Sequence, residues 1–519
     1  MTLHTLDLAV VAVYAASLLM IALWVSREKS GQAKNTSDYF LAGRALPWWA
    51  IGASLIAANI SAEQIIGMSG SAWAMGIAIG VYEWTAAIAL IVVGKYLLPI
   101  FLQRKIYTMP QYVEQRFDHR VRNVMAVFWL AVYVFVNLTS ILWLGALAVN
   151  TVAGVNLDIA LFGLGTFAVA YSLYGGLRAV AMTDIIQVVL LIVGGLFIVH
   201  IALDQVAGGA GALAGFQMLL AEIPEKFDLI FTKDSPHYNA LPGISVLIGG
   251  MWVMHFSYWG FNQYIIQRAL AAKSPQEAQK GILFAAGLKM LTPIIVVLPG
   301  VAAILLAPDL AAPDQAYPTM MKLLPAGLLG LVFAALIGAI VSSLASMQNS
   351  ISTIFTMDLY RHFSSGEKSE QHLVMVGRIV GIAAMLIAML LARPLLSQFT
   401  QGFQFIQDFT GFFTPGVCAL FGMGIFWSRM TANGALAVAF GSFLFSLAFY
   451  VWWPELPFID RVGIVFLLCV AVGAIVSLMT PARLATEATT PVDTRTTAGF
   501  NIGSLAVVAM LVALYATWW

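Results

Sequence analysis

Stretches of about twenty or more apolar residues recur along the whole chain, each long enough to cross a hydrocarbon core of roughly 30 Å. They fall near 5–26, 47–70, 75–102, 122–154, 158–176, 180–203, 243–268, 277–306, 325–358, 373–393, 400–426, 432–452, 460–480 and 500–518, which makes fourteen candidate spans. Membrane-crossing strands would instead show short segments of alternating polarity, so the spans are read as helices. Composition agrees: 61% of the 519 residues are hydrophobic and 10% are charged, against about a quarter charged in soluble domains. The first span follows His4 but no Lys or Arg, and it lacks a small-residue cleavage site. It is therefore expected to be retained rather than removed as a signal peptide.

Several function classes drop out. A net charge of +1 gives no electrostatic footprint for nucleic acid. The two cysteines, Cys418 and Cys469, both lie in apolar stretches with no C-x-x-C or Cys/His cluster, so neither a disulfide framework nor a structural zinc site is expected. No G-x-x-x-x-G-K-[ST] occurs, and ATP-driven pumping would have no engine. No organic cofactor is expected.

Orientation follows from the basic residues. Of the 26 Lys and Arg, Lys95 and Lys289 lie within spans, and Lys95 is close enough to an end to snorkel. Lys226, Lys233, Lys322, Arg393 and Arg461 fall in segments on one side of the membrane, and the remaining nineteen fall on the other. The richer side is the inner one, which puts both termini outside, at the periplasmic face of an inner membrane if the cell is bacterial. The polar stretch 204–242 becomes an outer loop.

Polar residues inside spans are costly and face cavities or one another. In the second span Asn59, Ser61, Glu63 and Gln64 sit among small residues at mid-depth. Short polar side chains compete for backbone hydrogen bonds, which favours a break that exposes carbonyl oxygens. Close helix packing with polar contacts between helices is the other reading. The ninth span carries Ser342 and Ser343, which either bond back to the preceding turn or supply oxygens to a hard monovalent cation such as sodium. Glu83, His255, Lys289 and Asp184 are further ionisable residues within spans. Lys289 needs a carboxylate or several acceptors, and Glu83 is the candidate partner. Asp184, just after Arg178, reads either as a helix cap and local charge pair or as functional.

The seventh span, with His255, Ser257, Tyr258, Gly260, Asn262 and Gln263, is interrupted like the second, five spans earlier. Matching irregular spans in two five-helix halves point to an inverted-repeat secondary transporter with its site at the midplane.

At these residues the chain resembles the sodium/solute symporters, and within them the bacterial sodium/galactose (sodium/glucose) branch. The strings are DYFLAGR at 38–44, WWAIGASLIAANISAEQ at 48–64, YTMP at 107–110 and FWLAVYVFVNLTS at 128–140. AYSLYGGLRAV at 170–180, YWGFNQYIIQR at 258–268, AIVSSLASMQNS at 339–350 and TIFTMDLY at 353–360 complete the set. The resemblance implies an all-α integral membrane protein with a leucine-transporter-type core of 5+5 inverted repeats. Residues 1–46 would form an extra helix and inner loop, 47–203 the first repeat, 204–242 the outer loop, 243–426 the second repeat, and 427–519 three flanking helices. It also implies a sodium ion held by backbone oxygens of Ala57, Ile60 and Ala339 and the hydroxyls of Ser342 and Ser343, with Asp184 on the inner ion pathway. Gln64, Glu83, Lys289 and Gln407 would bond sugar hydroxyls, which both donate and accept. Tyr258, with its hydroxyl held by Asn59, would gate the inner side, and Met68, Tyr82 and Phe403 the outer side. His255 departs from the pattern, because the sugar-carrying branch has asparagine there; histidine still offers one bond to a hydroxyl.

The expected function is sodium-coupled symport of a hexose by alternating access. Another polar solute (myo-inositol, another polyol or a sialic-acid-like sugar) is the alternative within the class. A channel would want a repeated selectivity motif, an enzyme a catalytic cluster, and a transporter-like sensor a signalling domain beyond residue 481. None of these is present in the sequence.

Overall fold

The computed structural model describes residues 3–26, 41–364, 366–397, 402–481 and 492–519. Arg27, Lys29, Lys34, Arg483 and the start of the DYFLAGR string lie outside them. Among the described residues every regular element is helical, and the only sheet-like pairing is an isolated bridge between Leu46 and Ala272. Helices follow from the solvent: in hydrocarbon each N–H and C=O must be satisfied within its own segment.

Among the described residues nine helices are long and apolar enough to span, or ten if Gly402–Thr410 and Thr414–Phe426, which meet at 45°, count as one. Fourteen were expected, and the difference has physical causes. Thr5–Ile21 and Leu157–Ser172 are apolar but shorter. The second and seventh spans are interrupted, and the second half of the former runs on with the third as Glu63–Gln103. Spans five and six share one helical run, Leu157–Val206. Its arms nevertheless fold back on each other, because Tyr171 hydrogen-bonds Thr183. Twelve residues of straight helix would hold those side chains about 18 Å apart.

The breaks are local and specific. The helix Trp48–Asn59 ends at Ile60 (φ −74°, ψ 79°), and Ser61 N–H bonds the Asn59 carbonyl at 2.8 Å instead of the Ala57 carbonyl a helix would use. A π-helical segment, Glu63–Met68, follows. The seventh span repeats this design: Gly250–Phe256, a π-helical segment at Ser257–Phe261, then an extended Asn262 (φ −82°, ψ 123°) before Gln263–Leu270. Tyr133 braces that break, donating to Asn262 Oδ1 at 2.5 Å and accepting from Gln263 N at 3.0 Å.

The ninth span, Leu328–Ile354, is buried along most of its length against the Leu157–Val206 helix and the first helix. Leu46 bonds Ala271 and Lys273 through its backbone, tying the start of the second span to the end of the seventh. The C-terminal helices present bare apolar surface, with Trp452 83% and Met479 80% exposed, as expected of faces toward lipid. Cys418 and Cys469 are buried and unpaired.

Candidate functional site

The two broken helices meet at a cavity of about 910 Å³, open solvent at its mouth included. Of the residues expected at a site, Asn59, Gln64, Met68, Tyr82, Glu83, His255, Tyr258, Phe403 and Gln407 all line it. Tyr82 and Phe403 close one end edge to face, with ring centroids 5.1 Å apart. The cavity extends away from them toward Phe128, Trp129 and Val417. Asp314 supports the closed end by accepting from Gly402 N at 2.8 Å.

Lys289 does not line the cavity. It is completely buried behind it, where its ammonium bonds Glu83 Oε2 and Asn59 Oδ1 and lies 4.9 Å from the centre of the Trp259 ring. Asn59 turns its amide to the Tyr258 hydroxyl at 3.0 Å, and that hydroxyl also bonds Tyr264. A charge pair and two phenols are thus linked through Asn59 at the edge of the helix break. Low local dielectric strengthens such a network and penalises the loss of any member.

His255 takes its orientation from Thr85. The Thr85 hydroxyl donates to the Val81 carbonyl at 2.6 Å, and its oxygen lies 2.7 Å from His255 Nε2. With its one hydrogen already committed, Thr85 can only accept, so Nε2 carries the proton. Nδ1 is then left as an acceptor.

Of the expected cation ligands, the two serines are placed by their hydrogen bonds. Ser343 donates to the Ala58 carbonyl at 3.1 Å, bridging the ninth span to the break, while Ser342 donates to Asp184. A hydroxyl that donates in one direction keeps its lone pairs for a cation in another. At the break the Ala57 carbonyl is released from the Ser61 N–H. This donor set of carbonyls and hydroxyls suits sodium.

Asp184 does not cap a helix, while the side chain of Arg178 lies outside the described residues. Asp184 lies inside the Leu157–Val206 helix, fully buried, and accepts from Ser54 and Ser342, with Arg268 at 3.8 Å. Arg268 itself, counted as an inner-side charge, is 1% exposed. It donates to Ser54 at 2.7 Å, to the Tyr264 carbonyl at 2.5 Å and to Ser346. Ser54, Arg268 and Ser346 were not among the expected site residues. The hydroxyls of Ser54 and Ser346, one turn or more from the expected ligands, were the available signal. On the cavity side Glu63, Thr85, Tyr133, Asn137 and Asn262 were likewise missed as site residues, although each is a polar residue inside an apolar span.

Residues 39–441 match the sodium:solute symporter family. The chain belongs to that family. This symporter is 47% identical to the sodium/glucose cotransporter of Vibrio parahaemolyticus over 99% of its own length and 98% of that protein's. It is 34% identical to the sodium/myo-inositol cotransporter 2 of Mus musculus, covering 83% of this chain and 68% of the mouse protein. Its fold matches the substrate-bound, outward-open structure of a Na+-coupled sialic acid symporter with a TM-score of 0.81 at 24% identity, over 93% of this chain and 99% of that one. The symporter is accordingly a multi-pass membrane transporter, not an enzyme.

Proposed function

We propose that this symporter carries a hexose, galactose or glucose, into the cell together with sodium. The observation that carries the reading is the cavity itself. Gln64, Glu83, His255, Tyr258 and Gln407 converge there, beside a break whose Ala58 carbonyl accepts from Ser343. An amide, a carboxylate, an imidazole acceptor and a phenol suit a solute whose hydroxyls both donate and accept. Lys289 acts on the sugar through Glu83, holding its carboxyl at the cavity wall. The near full-length identity to a sodium/glucose cotransporter supports the same substrate class.

An anionic solute of the sialic acid kind fits less well. Among the described residues no Lys or Arg lines the cavity, and the nearby Lys289 is engaged by Glu83 and Asn59. Myo-inositol shares the polyhydroxyl chemistry and is the appropriate competitor.

Transport proceeds by alternating access in this proposal. Sodium bound by Ala57, Ile60, Ala339, Ser342 and Ser343 favours the outward-open form, and differential binding of the solutes to two states does the rest. The repeats 47–203 and 243–426 move against each other, with Met68, Tyr82 and Phe403 gating outside and Tyr258 inside. Asp184 lies on the ion's inner path, in an inner membrane with both termini periplasmic.

Ser343 offers a direct check on the cation site. Ser343→Ala should raise the sodium concentration for half-maximal uptake about ten-fold, equivalent to roughly 1.4 kcal/mol, with the ranking of sugars unchanged. A sodium titration of uptake at fixed sugar measures it; an unaltered sodium requirement would remove Ser343 from the site.

A further inference from the structure

Most polar atoms around the cavity have partners within the protein. Asn59 is held by Tyr258 and Lys289, and the Tyr133 hydroxyl by the backbone and side chain at the Asn262 break. Among the described residues that line the cavity, two buried side-chain oxygens have none: the Tyr82 hydroxyl and Glu63 Oε1. Glu63 is 6% exposed, and Asn137 lines the cavity beside its carboxyl. A buried oxygen without a partner is costly. No Lys or Arg on the lining is available to relieve it. A hydroxyl brought into the cavity would supply the missing partner.

Ser61 sets the local geometry. Its hydroxyl accepts from Glu63 N at 3.2 Å and donates to Gln64 Oε1 at 3.2 Å, so the carbonyl end of the Gln64 amide is engaged by its own turn. The NH₂ end of that amide is left as the donor. Two consecutive residues on the π-helical segment then offer an acceptor and a donor side by side, a pattern that a pair of neighbouring hydroxyls completes.

We propose that Glu63, anchored through Asn137, is an additional sugar-hydroxyl acceptor that works beside the Gln64 amide. The inference rests on the hexose reading above and adds a specificity determinant to it. Glu63 reads one hydroxyl of the solute, and Asn137 positions the carboxyl for that contact.

The test uses the full-length symporter in proteoliposomes with sodium, and measures inhibition constants for a complete series of monodeoxyhexoses. In the wild-type protein one missing hydroxyl should weaken binding about ten-fold, the loss of one hydrogen bond to a buried carboxyl. In Glu63→Gln the parent sugar should lose a similar factor, while the analogue lacking that hydroxyl binds as well as the parent. All other positions should discriminate as in wild type, which a merely structural role would not produce. Asn137→Ala gives the second variant and should weaken binding through the same hydroxyl. If both variants discriminate every position as wild type does, Glu63 Oε1 meets only water and the proposal is overturned. If the wild-type protein shows no sodium-dependent hexose binding, the hexose reading itself fails and takes this one with it.

Discussion

Lys289→Met is expected to abolish sodium-driven sugar uptake and to destabilise the protein by about 3–5 kcal/mol, the cost of breaking a buried ion pair from one side. Lys289 is fully buried, and its ammonium holds both Glu83 and Asn59. Removing it leaves the Glu83 carboxylate at the cavity wall without a counter-charge and frees the Asn59 oxygen. Asn59 in turn loses its hold on the Tyr258 hydroxyl, so the damage reaches the gate as well as the sugar site. The paired change Lys289→Met with Glu83→Gln separates these effects. It removes both charges and should recover most of the thermal stability in detergent, yet transport should stay absent because the cavity has lost its carboxylate. Thermal unfolding and uptake, measured on the single and paired variants, decide the matter. Uptake within two-fold of wild type in Lys289→Met would contradict the role given to the pair.

Asp184→Ala is the second large effect. It strips Arg268 of its carboxylate partner in a fully buried cluster and leaves the Ser54 and Ser342 hydroxyls without their acceptor. A destabilisation of about 3–5 kcal/mol is again the scale for a one-sided break. Ser342 also belongs to the proposed sodium site, so its hydroxyl should reorient and the sodium requirement should rise steeply. Asp184→Asn should be milder. It keeps one acceptor oxygen but cannot receive both serines, so stability should recover more than sodium affinity does. Equal sodium dependence in wild type, Asp184→Asn and any folded Asp184→Ala would separate Asp184 from the ion.

The positions of the two breaks are legible in the sequence because they are chemically conspicuous. Asn59, Ser61, Glu63 and Gln64 crowd one short stretch of an apolar span, and Gly260 with Asn262 mark the other. The Glu83–Lys289 pair is legible for a similar reason: a lysine deep in hydrocarbon has few acceptable partners. Arg268 is not, because a basic residue ending an apolar block looks the same as a loop charge until the fold brings Ser54, Ser346 and the Tyr264 carbonyl around it. The same holds for Lys289's place behind the cavity, which depends on a packing depth that no spacing reports. The division between spans five and six at Gly175, Gly176 and Arg178 is legible, but the hydrogen bond between Tyr171 and Thr183 across it is not, since no spacing reports which side chains meet. Glu63 is visible as a polar residue, but only the structure distinguishes its free oxygen from the engaged ones of its neighbours.

Coupling of sugar uptake to sodium is measurable on the protein alone. Purified symporter in proteoliposomes is given radiolabelled galactose or glucose, with an inward sodium gradient in one arm and potassium in the other. Uphill accumulation is expected in the sodium arm alone, collapsing when a sodium ionophore dissipates the gradient. Equal uptake of both sugars in the two arms would contradict it.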